Sequence, residues 1–599
     1  MPRSRRIRAL AAGALALAAP VSAADFRARL PQDEVIYFLL PDRFDNADVS
    51  NDRGGLTGDR LTTGFDPTDK GFYHGGDLKG VVRRLDYIAA LGATAVWVAP
   101  VFGNKAVQGP QGHESAGYHG YWITDFEHVD PHFGTDADFK TMVDAAHARS
   151  MKVYMDIVIN HTADVIHYRE CAASPCPYHS RADYPYQRRG GVGGPPINPG
   201  FAGDDDRSAA NFAKLTDPTY AYTPYLPPGD THAKHPAWLN DITLYHNRGD
   251  STFTGESSTE GDFAGLDDLM TQNPRVVAGM IAVYGGWIDR FGVDGFRIDT
   301  ARHVEPSFWQ AFVPAILARA KARGIPNFHI FGEVHLADPA VLAAHTRVDR
   351  LPAVLDFAFE QAVVETVAGT RGTDVWEHWI AADPLYAGDP ATLPTFTGDH
   401  DDGRFAAAVR KARPDIRDAE ILARVELADA MLLTLRGVPM IYAGDEQGFA
   451  GRGGDQDARQ DQFGSRVARY NDAPLVGTTA TTATPRFDTG HPLFREIAEL
   501  ARLRVATPAL RRGDQRLRFA SDKPGLLAVS RVDPATGDEV LLVFNTSTVA
   551  VDRLVQVGAG TTATMLAGSG CAPTVAAPGS LRVTLLPLGF AVCAIGPRP

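Results

Sequence analysis

The chain has 599 residues, 44% hydrophobic and 22% charged, an ordinary globular balance that excludes disordered, collagen-like and coiled-coil chains. Its 72 acidic residues against 59 basic ones give a formal charge of -13. That is the wrong sign for a polyanionic partner, so nucleic acid is excluded and a neutral or cationic ligand stays open.

Residues 1–23 carry the three-part pattern of a secretory signal. Arg3, Arg5, Arg6 and Arg8 form a basic start, an apolar run follows over 9–19, and Val21-Ser22-Ala23 supplies small residues for cleavage. The apolar run is too short to span a bilayer. An exported protein, periplasmic or extracellular and with no membrane partner, is expected. The cysteines agree with export: Cys171 with Cys176 and Cys571 with Cys593 form two sequence-local pairs. An even count in an oxidising compartment favours two disulfides. A zinc site is the alternative, although the pairs lie far apart and neither has C-x-x-C spacing.

From residue 35 onward, short β-rich runs recur at 35–40, 95–100, 151–158, 293–299, 328–333, 353–357, 394–399 and 438–443. Their hydrophobicity is continuous rather than alternating, as in strands buried on both faces of a parallel sheet. Helical patterns lie between several of them, for example at 136–149 and 306–323. Eight such strands with helical crossovers predict an α/β fold of the (β/α)8 TIM-barrel type; a doubly wound open sheet is the alternative. The third and fourth strands are separated by a long Pro-, Gly-, Asp- and Tyr-rich stretch, which predicts an inserted lobe after strand 3. Beyond about residue 511 the pattern becomes all-β, with a hairpin over 526–532 and 538–545 and more strand material at 581–595. The expected organisation is a barrel over 24–160 and 271–508, an inserted domain over 161–270 and a C-terminal β-sandwich over 509–599.

In such a barrel, polar residues at the carboxyl ends of the strands face the active site. The third strand runs into Asp156-Ile157-Val158-Ile159-Asn160-His161, and the fourth into Arg297-Ile298-Asp299-Thr300-Ala301-Arg302-His303. The fifth runs into Glu333-Val334-His335 and the seventh into Gly398-Asp399-His400-Asp401. A single carboxylate after a strand is most often a helix cap or salt-bridge partner. Four polar clusters in barrel order carry more weight.

These clusters, with Gly92-Ala93-Thr94-Ala95-Val96-Trp97-Val98-Ala99-Pro100-Val101, Tyr118-His119-Gly120-Tyr121-Trp122 and Gly437-Val438-Pro439-Met440-Ile441-Tyr442, closely resemble the α-amylase family of glycoside hydrolases. The resemblance runs from Val35 to the C-terminal β module. It implies Asp299 as nucleophile, Glu333 as general acid/base and Asp401 as the third carboxylate, acting on an α-glucan or maltooligosaccharide. The chemistry wants three acids: one attacks, one holds a proton, and all stabilise an oxocarbenium-like charge. Arg297, two residues before Asp299 on the same strand face, is placed to keep Asp299 ionised. The resemblance also implies sugar contacts by His119, Tyr121, His161 and His400, with Trp122 open between stacking platform and core. Arg302 and His303 match members that cut α-1,4 bonds.

Calcium is the implied cofactor. One site is expected at Asn160, Asp268 and the backbone carbonyl of His303. A second is expected at Asn46, Asp48, Asn51 and Asp52 with Gly75 and Asp77, as in cyclodextrin glucanotransferases. One departure is Asp399, where the family usually has Asn, which adds a negative charge beside Asp401. The expectation is a monomeric hydrolase of internal α-1,4-glucosidic bonds. A transglycosylase, a cyclomaltodextrinase or neopullulanase-like enzyme and an inactive glucan-binding protein are the alternatives. No room is seen for further C-terminal binding modules, which argues against a full-length glucanotransferase.

Overall fold

A computed structural model of the chain describes residues 26–171, 175–558, 560–576 and 579–596; the signal segment 1–23 lies outside them. The eight predicted runs form eight parallel strands: β1 (Ile36–Leu39), β2 (Ala95–Val98), β3 (Lys152–Val158), β4 (Gly295–Asp299), β5 (His329–Gly332), β6 (Ala353–Val354), β7 (Pro394–Thr395) and β8 (Val438–Tyr442). They pair in the order β6-β5-β4-β3-β2-β1-β8-β7. The remaining seam is bridged by the Asp356 N–H, which donates to the Pro394 carbonyl at 2.9 Å. Every residue of β1, β2, β3, β4, β5 and β8 is buried. That is why their sequences lack the polar alternation of a sheet with one wet face.

The crossover helices follow from their caps and periodicity. The helix Asp136–Ala148 starts at a Thr135/Asp138 capping box and buries Phe139, Met142, Val143 and Ala146, spaced three and four apart. Pro274–Phe291 and Pro306–Ala322 both begin with proline at a first-turn position, where the missing N–H costs nothing.

Between β3 and the helix Pro274–Phe291, the described residues hold only short elements. At the neck of this segment His161–Thr162 pairs antiparallel with Asp267–Asp268, tying both ends of the excursion together beside the mouth of the barrel. Packed rings stand in for regular structure above the neck: His179 stacks on Tyr184 at 3.8 Å, and the buried Arg248 lies 4.5 Å from the Tyr186 ring. Cys171 and Cys176 are disulfide-bonded at its start.

The C-terminal strands are β9 (Asp514–Phe519), β10 (Leu526–Val532), β11 (Glu539–Asn545), β12 (Val551–Gln556), β13 (Thr562–Gly568), β14 (Cys571–Ala576), β15 (Ser580–Leu585) and β16 (Phe590–Gly596). They form one antiparallel ladder, β9-β10-β11-β16-β13-β14-β15-β12. It folds over a core that includes Leu526, Leu541, Val543, Val583 and Leu585. A disulfide joins Cys571 to Cys593. The predicted hairpin is present in register, Val532 opposite Glu539. The module docks on the barrel through polar contacts: Thr373 Oγ1 donates to the Leu526 carbonyl at 2.8 Å, and the Arg436 N–H donates to Gln515 Oε1 at 3.0 Å.

The helix after β4 is anchored by Trp309, fully buried, whose Nε1 donates to the Ala301 carbonyl at 3.1 Å. Trp309→Ala removes that anchor and leaves a cavity, and should cost about 3–5 kcal/mol. The expected readout is a lowered urea midpoint, with Trp309→Phe losing clearly less.

Candidate active site

The carboxyl ends of β3, β4, β5 and β7 deliver their acids into one pocket at the barrel mouth, centred on the Arg297 guanidinium. Its side chain is 1% exposed, and Nη1 donates to Asp299 Oδ1 at 2.8 Å and to Asp156 Oδ1 at 2.9 Å. Nη2 lies 2.9 Å from Glu333 Oε1. The second Glu333 oxygen accepts the Thr300 N–H at 2.8 Å. Thr300 reaches it by turning left-handed, φ 49°, directly after β4, a backbone strain of the kind held at functional sites.

Asp401 sits across the pocket with its side chain 41% exposed to the cleft, and its Oδ1 accepts from Arg459 Nη2 at 2.7 Å. Arg459 is also fastened by Nε to the His400 carbonyl at 3.1 Å. Tyr121 Oη donates to Asp156 Oδ2 at 3.1 Å and lies 2.9 Å from His400 Nε2. Trp97 Nε1 donates to Asp156 Oδ2 at 3.1 Å. One network thus joins Trp97, Tyr121, Asp156, Arg297, Asp299, Glu333 and His400.

The electrostatics divide the carboxyls. Burial pushes Asp299 and Glu333 each up to about 7 against the pull of Arg297, and nearby carboxylates add to the rise. Asp156 is raised to about 6, again by burial. Enclosure would raise Asp401 too, but the His400 ring and, more firmly, the Arg459 and Arg297 guanidiniums hold it well below the ordinary range. Arg297 therefore does not single out Asp299, as the sequence had suggested; it bridges Asp156, Asp299 and Glu333, and the last two share the same elevated range.

Burial holds His161 and His400 neutral, pushing each down to about 3, and holds His119 well below its usual value. His119 Nδ1 accepts the Tyr121 N–H at 3.1 Å, and its ring stands edge-on to half-buried Trp122 at 4.7 Å. His161 stacks on Phe263 at 5.7 Å. Among the described residues, His161 Nε2 and His400 Nδ1 have no hydrogen-bond partner. Arg302 and His303 face away from the acids. Arg302 donates to the His335 and Phe253 carbonyls at 3.4 and 3.5 Å, and the His303 ring turns to the Ser258 carbonyl at 2.8 Å. Asp399 Oδ1 accepts the N–H groups of Asp401 and Asp402 at 2.9 and 2.8 Å, an acceptor role an Asn oxygen would also fill.

Asp156 and Arg459 are the two residues sequence reasoning did not select. Asp156 had a signal: a carboxylate inside a strand apolar on both faces must be paired. Arg459 had none, since it lies in a Gly- and Asp-rich loop beyond β8 without periodicity.

Of the expected cation sites, the first brings Asn160 and Asp268 to the neck, where the Leu269 N–H donates to the Asn160 carbonyl at 2.9 Å. Asp268 is buried among Asp262, Glu260 and Glu305, so that burial and like charge drive its carboxyl far up; His246 Nδ1 lies 2.5 Å from its Oδ2. Such a crowded carboxylate is what a hard cation would neutralise. Among the described residues, Asp204, His246 and Glu260 form a group close enough to share a cation. Arg181 and Arg248 already pair with its acids.

The second site gathers Asn46, Asn51 and Asp52 against Gly75. The Oδ1 atoms of Asn46 and Asn51 are buried without a partner among the described residues. Burial, with Asp42, Asp77 and Asp48 nearby, pushes Asp52 up to about 6. A Cβ on Gly75 would come within 2.5 Å of Asp52 Oδ1, so only glycine leaves this cradle open. Asp48 instead pairs with Lys79 at 2.6 Å, and Asp77 caps the helix Leu78–Ala90 through the Gly80 N–H while its other oxygen accepts the Ala47 and Asp48 N–H groups of the loop after β1. The crowded carboxylates of the first place, and the unpartnered amide oxygens with Asp52 at the second, fit an oxygen-seeking divalent cation.

The family model described as alpha amylase, catalytic domain, matches residues 38–473. The chain is 44% identical over 546 residues to an alpha-amylase of Streptomyces lividans, covering 89% of this chain and 58% of that one. A beta/alpha-amylase of Paenibacillus polymyxa is 28% identical over 520 residues, 86% of this chain and 33% of that one. The chain thus spans little over half of the first relative and a third of the second. Among solved structures, an Anoxybacillus alpha-amylase aligns with TM-score 0.68 at 26% identity, covering 95% and 99% of the two chains. A cyclomaltodextrin glucanotransferase with a three-domain ABC distribution aligns with TM-score 0.69 at 25% identity, covering 94% and 99%. A glucanotransferase of this size exists, so chain length does not separate the two activities. By this match over most of its length, and with its barrel and converging acids, the chain belongs to the α-amylase catalytic-domain family.

Proposed function

We propose that this protein is a retaining hydrolase of internal α-1,4-glucosidic bonds in starch, glycogen and maltooligosaccharides. The observation that carries the reading is one buried guanidinium shared by Asp299 and Glu333, with Asp401 opposite on its own arginine. Asp299 attacks the anomeric carbon while Glu333 gives its proton to the departing glycosidic oxygen. Glu333 then takes a proton from water, whose oxygen displaces Asp299 and restores both acids. Asp401, held ionised, stabilises the positive charge that develops on the ring. His119, His161 and His400, neutral and enclosed, serve as hydrogen-bonding partners for sugar hydroxyls, and Arg302 and Phe253 line the rim. The proposed domain limits are those expected above, 24–160 with 271–508, 161–270 and 509–599. Export and a monomeric state complete the reading; the paired cysteines support the first, and no helix among the described residues is long and apolar enough to cross a membrane. The likeness to a three-domain glucanotransferase supports a second reading, in which a sugar hydroxyl takes the place of water.

The test is a starch digest resolved by product length across pH 5 to 9. The Asp299/Glu333 pair works with one proton: below its titration range Asp299 is protonated and cannot attack, and above it Glu333 has no proton to give. A bell-shaped kcat/KM around neutrality, with a ladder of hydrolysis products, is expected. Early transfer products would favour the second reading. Glu333→Gln should lose on the order of 10²–10⁴ in turnover while still binding glucan.

Calcium at the neck, with Asn160, Asp268 and the His303 carbonyl as ligands, would neutralise the Asp268 cluster and tie the inserted segment to the barrel. Asn46, Asn51, Asp52 and the Gly75 cradle, flanked by Asp48 and Asp77, would hold a second ion. A ligand at 100 times its Kd adds about 2.7 kcal/mol to stability. Chelation should therefore lower Tm and added calcium restore it. In Asp268→Asn the chelator response should shrink; an undiminished Tm in chelated wild type would remove the metal from the account.

A further inference from the structure

His335 follows the acid/base residue by two positions, and Asp402 directly follows Asp401. His335 Nε2 lies 3.0 Å from both Asp402 carboxylate oxygens, so a single ion pair spans the gap between the loop after β5 and the loop after β7. Each partner is fixed from behind. The imidazole stands edge-on to the Phe357 ring at 4.9 Å, and Phe357 in turn meets Phe396 edge-on at 5.0 Å. The Asp402 backbone is held by the Asp399 carboxylate, which also holds Asp401. Arg302 reaches the His335 carbonyl from the loop after β4.

The charges around the pair give it work to do. Asp399, Asp401, Asp402, Glu333 and the half-buried Glu360 crowd this side of the mouth. Burial, Asp402 and Asp399 push Glu360 up to about 8. The hydrogen bond to Asp402 pushes His335 up to about 9, with Glu333 and Asp399 adding to it, so the imidazole is a cation at neutral pH. Without that cation the Asp402 carboxylate would lie unmatched beside Asp399 and Asp401.

Resting on the roles proposed for Glu333 and Asp401, we propose that the His335–Asp402 pair is a strap across the mouth of the cleft that fixes the acid/base loop against the loop of the third carboxylate, which makes both members positioning residues. The pair is exposed, 60% and 37% by side chain. A surface ion pair contributes little to global stability, so the strap should be felt in turnover rather than in Tm. A small misplacement of a reacting group is costly to rate even when the fold is intact.

The experiment is a double-mutant cycle on maltoheptaose hydrolysis with His335→Gln, Asp402→Asn and the double variant, plus His335→Lys. Each single change should lower kcat about tenfold with KM shifted less than about twofold, and the double variant should be no worse than the singles. His335→Lys, which keeps a cation for Asp402, should recover most of the loss. In wild type the His335 imidazole, followed by NMR in histidine-labelled protein, should titrate near 9 and move toward its ordinary value in Asp402→Asn. Unchanged kcat in the singles, or losses that simply multiply in the double variant, would overturn the strap. Turnover surviving in Glu333→Gln would instead sink the underlying reading, whatever the strap variants do.

Discussion

A guanidinium sealed into the barrel mouth governs the rest of this structure. Burying Arg297 is unfavourable unless its charge is matched, and three carboxyl groups, Asp156, Asp299 and Glu333, match it through Nη1 and Nη2. Three acids around one cation leave an excess of negative charge in a largely buried space, and the cheapest relief is to retain a proton. Burial raises Asp299 and Glu333 into the same range for this reason. The proposed chemistry asks for one ionised and one protonated carboxyl, and the pocket's charge balance favours that state without assigning either residue in advance. The roles proposed for the two rest on the family likeness: the Thr300 N–H favours the ionised form of Glu333 as Arg297 favours that of Asp299, so these contacts alone do not separate them.

Asp401 obeys a different rule because it has its own arginine. Arg459 binds it directly and is itself fastened to the His400 carbonyl, so the third carboxylate stays charged where the other two share a proton. The separation between Asp401 and the Asp299/Glu333 pair thus arises from which loop supplies the cation.

What could be read from the sequence follows this division. The barrel was legible because each strand is apolar on both faces, and the strand-end acids were legible because a charge there has to be used. Asp156 was visible in principle for the same reason. Arg459 was not, since it approaches from a loop whose composition carries no period and whose path depends on packing around Tyr118 and Tyr442. The even partition of Arg297 among three acids was equally hidden: residue spacing places the arginine on the face of Asp299, but only the tertiary fold brings Glu333 to its other nitrogen. Asp399, read from the sequence as an added charge beside Asp401, also serves as an acceptor for two N–H groups of its own loop, and its charge adds to the rise of His335 and Glu360.

The neck of the inserted segment couples stability to the cleft. Asp268 pairs with His161 across a two-residue ladder, and His161 stacks on Phe263, which also meets the His303 and Phe253 rings. The crowded carboxyl of Asp268 and the imidazole of His161 therefore sit at opposite positions of one antiparallel step. A shift of the first strand is carried to the second through that step. A cation proposed at Asn160 and Asp268 would for that reason act on sugar-ring contacts as well as on unfolding, although it touches no reacting atom.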